Sequence, residues 1–222
     1  LTVAGYLETD PSELLEGPKI GFKIPEVLTV EEIDRIISAV DMDKKEGQRN
    51  RAILETLYSC GLRVSELCNL KLSDLYFEEG FIKVEGKGSK QRLVPISPRA
   101  IKEIKYWLTD RNLGKIKKGY EDYVFLARWG NNISRIMVFH MIKELAEKTG
   151  ITKNISPHTF RHSFATHLLE GGANLRAIQC MLGHESIATT EIYTHIDRNM
   201  LRSEIIEHHP RNIKYRKERG IY

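Results

Sequence analysis

Cysteine is scarce in this chain: Cys60, Cys68 and Cys180 are the whole complement. Their number is odd, they lack the close paired spacing of zinc sites, and each lies in an apolar segment, which points to buried reduced thiols of the cytosolic kind. No apolar run is long enough to cross a bilayer and no secretory leader pattern is visible, so a cytoplasmic location is expected. A glycine-rich nucleotide cradle is missing too, as are internal repeats and low-complexity segments. What is present is the balance of a globular protein, 41% hydrophobic and 29% charged over 222 residues, enough to bury a real core without covalent staples.

Net charge is only +4, but its distribution is uneven. Residues 1–80 carry nine Lys+Arg against sixteen Asp+Glu, a net of −7, whereas residues 81–118 carry eleven against three, a net of +8. A basic block beside an acidic one makes a polar molecule suited to a polyanion held on one face; a solvated basic surface is the alternative at this level.

The chain opens with what reads as the end of a helix running into DPSELLEGPK, and Gly17 to Pro25 read as a linker. Residues 1–20 are therefore expected to be the remnant of a preceding helical domain and its linker, residues 21–211 one domain, and residues 212–222 a basic tail. Thr29 and Glu32 form a capping box ahead of Ile33, Ile36 and Ile37. Helices are predicted at about 47–60, 63–70, 98–109, 134–150, 157–169, 174–182, 186–194 and 198–207. FIKVEGKGSKQRLVPI, residues 81–96, alternates apolar and polar residues around Gly-Lys-Gly and predicts a β-hairpin; YVFL at 123–126 predicts a short strand. The fold class is thus mainly α with a small antiparallel sheet.

In HTFRHSFATHLLEGG, residues 158–172, Phe160, Phe164 and Leu168 form one helical stripe, and His158, Arg161 and His162 project from another face. His158 and His162 have metal-compatible spacing, but a guanidinium between them repels a cation and offers a planar donor fork to phosphate oxygens. Pro157 starts the helix, whose N-terminal dipole also favours an anion. Phosphate is the better ligand. Read alone, HxxR is a weak motif, and plain surface residues are the better reading of His158 and Arg161.

With the rest of the chain in view the sequence resembles the tyrosine site-specific recombinases of the phage integrase family, nearest the Xer type. GLRVSEL, residues 61–67, is similar to the family's first arginine motif and points to Arg63; VEGKGSKQRLVPI, residues 84–96, is similar to its hairpin lysine segment and points to Lys87. HTFRHSFATHLLEGG supplies His158 and Arg161, and LGHESIATTEIYTHI, residues 182–196, supplies His184 and the candidate nucleophile Tyr193. Similarity continues to HHPR at 208–211. The family's N-terminal DNA-clamping domain is represented only by its end, and the tail KYRKERGIY, residues 214–222, goes beyond the pattern and reads locally as a disordered basic end.

The resemblance implies a tyrosine recombinase catalytic domain that cleaves and rejoins duplex DNA through a 3′-phosphotyrosine and a Holliday junction, without cofactor, metal or ATP. It serves either Xer-like chromosome dimer resolution and partition or mobile-element integration and excision. Arg63 and Arg161 would clamp the scissile phosphate, His184 would add a donor, His158 would take the proton of Tyr193, and Lys87, with Lys90 as competitor, would protonate the leaving 5′-oxygen. Glu66, at i, i+3 from Arg63, either orients that guanidinium or makes an ordinary surface ion pair. His162, His167 and His195 are expected to pack or cap. Lys83, Lys90, Arg92, Lys102 and Lys105 are expected along the DNA backbone. The terminal helix, with Met200, Leu201, Ile205 and Ile206, is expected to join protomers into a homo- or hetero-tetramer, docking on its own domain being the alternative. The competing function is a DNA-binding relative that keeps the fold without the chemistry.

Overall fold

A computed structural model of the chain describes residues 26–86, 90–183 and 198–220. The capping box at Thr29 is formed: its hydroxyl accepts from Glu32 N at 3.2 Å, and Glu32 accepts from Thr29 N at 2.7 Å. It starts helix α1, Val30–Ser38, which buries Ile33, Ile36 and Ile37. Helix α2, Gly47–Cys60, is buried on almost every side and forms the centre of the core, with Ala52, Ile53, Leu54, Leu57 and Tyr58 fully buried. Helix α3, Val64–Cys68, and a 3-10 turn, Leu72–Asp74, lead into the sheet.

Strands β1, Leu75–Tyr76, β2, Phe81–Glu85, and β3, Gln91–Pro95, form an antiparallel sheet in the order β1-β2-β3. The predicted hairpin is present with Ile82 opposite Val94 and Val84 opposite Arg92. Directly opposite residues share a face, so Arg92 lies on the buried face with Ile82, Val84 and Val94. The strand β1 is additional to the sequence reading.

Helix α4, Pro98–Leu113, is capped by Ser97 and runs a turn beyond its expected end at 109. Helix α5, Arg135–Lys148, is capped by Ser134, as the sequence indicates. The predicted strand at 123–126 is instead an irregular buried segment with isolated bridges, Lys71 to Tyr123 and Leu126 to Asn132. It is fixed from the side, where the Trp107 indole donates to Val124 O at 2.8 Å. Helices α6, Pro157–Glu170, and α7, Leu175–Leu182, follow, then α8, Arg198–His208, and α9, Pro210–Glu218. The helix expected at 186–194 lies outside the described residues.

Helix α2 is sandwiched between α4 and α6. Phe160, Phe164 and Leu168, the expected stripe of α6, are fully buried against it. Burial of aliphatic and aromatic side chains at roughly 1.5–3 kcal/mol each makes this the stabilising centre of the domain. Ser163 on α6 accepts from Leu28 N at 2.9 Å, tying the entry to α1 to the same helix.

The C-terminal residues correct the expectation of a disordered basic end as far as residue 218. Helix α9 is anchored by Arg211, 1% exposed, which pairs through Nε with Glu55 on α2 at 3.1 Å and through Nη1 with Asp34 on α1. His209 is fully buried and its Nε2 lies 3.1 Å from Tyr58 O. Helix α8 buries Leu201 and Ile205 against α6, α7 and β3 of the same chain, leaving Met200 37% exposed.

Candidate active site

Helix α2 ends at Gly61, which adopts the left-handed conformation at φ 58° and turns the chain into α3. A side chain there would put Cβ 2.4 Å from the ring of Phe164, so glycine is required by conformation and by space. The turn does two things. It aims Gly61 O at α6, and it delivers Arg63 to the N-terminus of α3.

Glu66 sits one turn along α3, 5% exposed. It accepts from Arg63 N at 2.8 Å and from Arg63 Nη1 at 2.9 Å, the pairing that the i, i+3 spacing suggests. Arg92 reaches the same carboxylate from β3, with Nη1 2.7 Å from Oε1 and Nη2 3.0 Å from Oε2. Burial alone would push the Glu66 carboxyl up; the hydrogen bonds and charge of Arg92, with Arg63 behind them, outweigh it and hold the group below its ordinary value.

Arg161 projects from α6 and is 9% exposed. Its Nη1 donates to Gly61 O at 2.7 Å and its Nη2 to Leu182 O at 2.5 Å. Burial, and after it the neighbouring charge of Arg63, lower its pKa to about 10, so it remains a cation at neutral pH while carrying an unfavourable field. An anion placed beside Arg63 and Arg161 relieves that field.

The end of α7 ties these side chains together. Met181 O accepts from Arg92 Nε at 2.7 Å, Leu182 O from Arg161, and Gly183 O from Arg63 Nη2 at 3.2 Å. Carbonyls at a helix C-terminus have no intrahelical partner and carry its negative dipole, so three guanidiniums satisfy them together. Gly183, left-handed at φ 64°, ends the helix.

Of the residues predicted from sequence, Arg63 and Arg161 are brought together. His158 is exposed in the first turn of α6, the helix that carries Arg161. Lys87, His184 and Tyr193, like His195, lie outside the described residues. His167 packs, as expected: it is 7% exposed with Nδ1 2.8 Å from the Tyr58 hydroxyl. His162 is exposed on α6 and does not pack. Among the expected backbone cations, Lys90, Lys102 and Lys105 are exposed, and Lys83 is held by Asp74 at 3.0 Å. Arg92 departs from that expectation. At 7% exposure, with its donors directed at Glu66 and Met181, it is an internal residue of the site and not a surface cation. The parity of QRLVPI carries the signal, since Arg92 shares alternation with Val94 and Ile96. A cleft of about 580 Å³ opens beside Arg63, between α3 and the hairpin, and is lined by Ser65, Lys71, Lys83, Gly86 and Gln91.

Known proteins are similar to this chain in sequence and in fold. Residues 26–200 match the model of the phage integrase family. Over 206 residues the chain is 44% identical to tyrosine recombinase XerD of Staphylococcus saprophyticus, covering 93% of this chain and 70% of that protein. It is 42% identical to the XerD of Staphylococcus aureus over the same length. The crystal structure of XerA recombinase superposes with a TM-score of 0.66 at 36% identity, covering 84% of this chain and 66% of that one. XerH site-specific recombinase bound to its difH substrate superposes at 0.65 with 30% identity, covering 77% of this chain and 50% of that one. The matched relatives are thus longer than this chain. With its mainly helical fold, its three-stranded sheet and this match over most of its length, the chain belongs to the phage integrase family and is a tyrosine recombinase.

Proposed function

We propose that this domain performs Xer-type exchange between two duplex DNA sites, with Tyr193 as nucleophile. The observation that supports it most is the paired placement of Arg63 and Arg161, two guanidiniums from different helices held within one another's field. A DNA-binding relative without chemistry needs scattered surface cations; it has no use for two cations forced together where one is buried.

The phenolic oxygen of Tyr193 attacks phosphorus, the bond from phosphorus to the 5′-oxygen breaks, and a 3′-phosphotyrosine and a free 5′-hydroxyl result. Only about one phenol in a thousand is ionised at pH 7, a handicap of roughly 4 kcal/mol, so a base is required. His158 takes the proton, directly or through water. Lys87 gives a proton to the leaving 5′-oxygen. Arg63, Arg161 and His184 hold the non-bridging oxygens, which gain negative charge in the transition state. Attack by the 5′-hydroxyl of another strand reverses each transfer and regenerates Tyr193. Repeated on a second pair of strands, it passes through a Holliday junction and serves chromosome dimer resolution or the movement of a mobile element.

The DNA partner is supported by the likeness to XerH, which is bound to a recombination-site substrate. Lys90, Lys102 and Lys105 would track the duplex backbone. The working assembly is a tetramer on two sites. Because α8 covers Leu201 and Ile205 within the same chain, joining protomers through the C-terminal helices would exchange contacts that this chain makes internally.

The test is covalent capture from a pool of nicked duplexes in the presence of chelator. A chelator-resistant adduct is expected on denaturing gels and is lost in Tyr193→Phe, with binding retained. An adduct that persists in Tyr193→Phe would overturn the assignment of the nucleophile.

A further inference from the structure

Arg92 stands where the hairpin, the phosphate clamp and the end of α7 meet. Its guanidinium is bidentate to Glu66, and Glu66 Oε1 is shared with Arg63, so the two arginines are held by one oxygen. Its Nε is spent on Met181 O. The two glycines that flank the undescribed parts of the site pack on the same side chain. A Cβ at Gly183 would lie 3.2 Å from Arg92 Cδ and Nε, and one at Gly86 would lie 3.6 Å from Arg92 Nη1. Gly86 also closes the hairpin root, donating to Lys90 O at 2.8 Å. Lys87 is the next residue in the chain after Gly86, and His184 the next after Gly183.

We infer that Arg92 is a positioning residue for departure of the 5′-oxygen: it fixes the root of the hairpin that carries Lys87 against Arg63 and the end of α7. This rests on the reading of Lys87 as the proton donor. A rigid planar fork is needed because three acceptors in two directions must be met at once; a lysine ammonium in the same place is a point charge that meets one of them well. An apolar side chain would fill the inner face of β3 and hold none of them. The consequence is a division of labour among the arginines. Arg63 and Arg161 act on the non-bridging oxygens, and Arg92 acts through Lys87 on the bridging one.

Replacing the 5′-bridging oxygen by sulfur separates these roles, because a thiolate leaves without a proton whereas an alkoxide needs one. Adduct rates are measured for the unsubstituted chain, Arg92→Lys, Lys87→Ala and Arg63→Lys, on oxygen and sulfur versions of one captured duplex. On the oxygen duplex, Arg92→Lys and Lys87→Ala are expected to slow cleavage about 100-fold, the scale of a misplacement of about 1 Å in a positioned group. On the sulfur duplex both are expected to recover to within about tenfold of the unsubstituted chain, while Arg63→Lys stays slow on both. Recovery of Lys87→Ala without recovery of Arg92→Lys overturns the inference and leaves the role of Lys87 standing. An oxygen-duplex rate unaffected by Arg92→Lys overturns it as well. Failure of Lys87→Ala to recover overturns the reading of Lys87, and the inference falls with it. Thermal melting checks the fold; if Arg92→Lys does not fold, Arg92→Gln, whose amide can still donate to Glu66 or Met181, takes its place under the same criteria.

Discussion

Gly61→Ala tests whether the turn between α2 and α3 sets both stability and the arginine clamp. Two costs add at this position. A left-handed residue with a Cβ costs about 1–2 kcal/mol. The Cβ would also lie 2.4, 2.8 and 2.9 Å from three ring atoms of Phe164, a fully buried side chain with no room to retreat, and such overpacking costs about 1–3 kcal/mol. The sum, about 2–5 kcal/mol, is a large share of the roughly 5–15 kcal/mol that holds a typical domain together. Gly150→Ala is the matched control. Gly150 is left-handed too, at φ 68°, but a Cβ there meets nothing within 4 Å, so only the backbone cost applies. Urea unfolding of the two variants should therefore place Gly61→Ala below Gly150→Ala by about 1–3 kcal/mol. In the fraction that stays folded, the shift of Gly61 O from Arg161 should slow adduct formation at least about tenfold. Equal losses in the two variants would refute the packing argument, and full activity in Gly61→Ala would refute the link to Arg161.

Acid weakens the fold through a buried imidazole. Burial pushes the His209 imidazole down to about 3, with the hydrogen bond to Tyr58 O opposing the shift and Arg211 adding to it. A base with a depressed folded pKa favours the folded state above its unfolded value of about 6.5 and loses that advantage as pH falls toward 3; at pH 5 the loss is about 2 kcal/mol. Urea midpoints at pH 7 and pH 5 should show it, and His209→Gln should flatten the difference. Lys102→Ala and Lys105→Ala should each reduce the slope of log affinity against log salt by about 1, while Lys83→Ala, whose ammonium is already matched by Asp74, should change it less. Slopes are read from binding titrations at several salt concentrations.

Much of this was legible locally. The capping box at Thr29, the span of α2, the hairpin at 81–96 and the Ser134 cap follow from periodicity and cap chemistry, which act within a few residues. The motif resemblance implies that Arg63 and Arg161 share one site, and the two side chains do come together. What escaped depends on distant partners. Strand β1 is two residues long and exists because β2 lies beside it. The segment 123–126 has the composition of a strand, yet its backbone groups go to single bridges, Leu70 and Trp107. Helix α9 has a polar sequence, and its anchor is Arg211 inserted between Glu55 and Asp34, residues from the opposite end of the chain. Arg92 reads as one basic residue among many until the parity of β3 turns it inward.

The burial of Arg211 has a consequence for how the protein is made. The carboxylate of Glu55 is fully enclosed, and its partners are Arg99 at 3.0 Å on one oxygen and Arg211 at 3.1 Å on the other. At a synthesis rate of about 5–20 residues per second, Arg211 leaves the ribosome on the order of ten seconds after Glu55. During that interval α2 carries an acid that cannot be enclosed without loss. The central helix therefore completes its packing only after Arg211 at the start of α9 has been translated, and a chain interrupted before residue 211 presents an unfinished core to proteases.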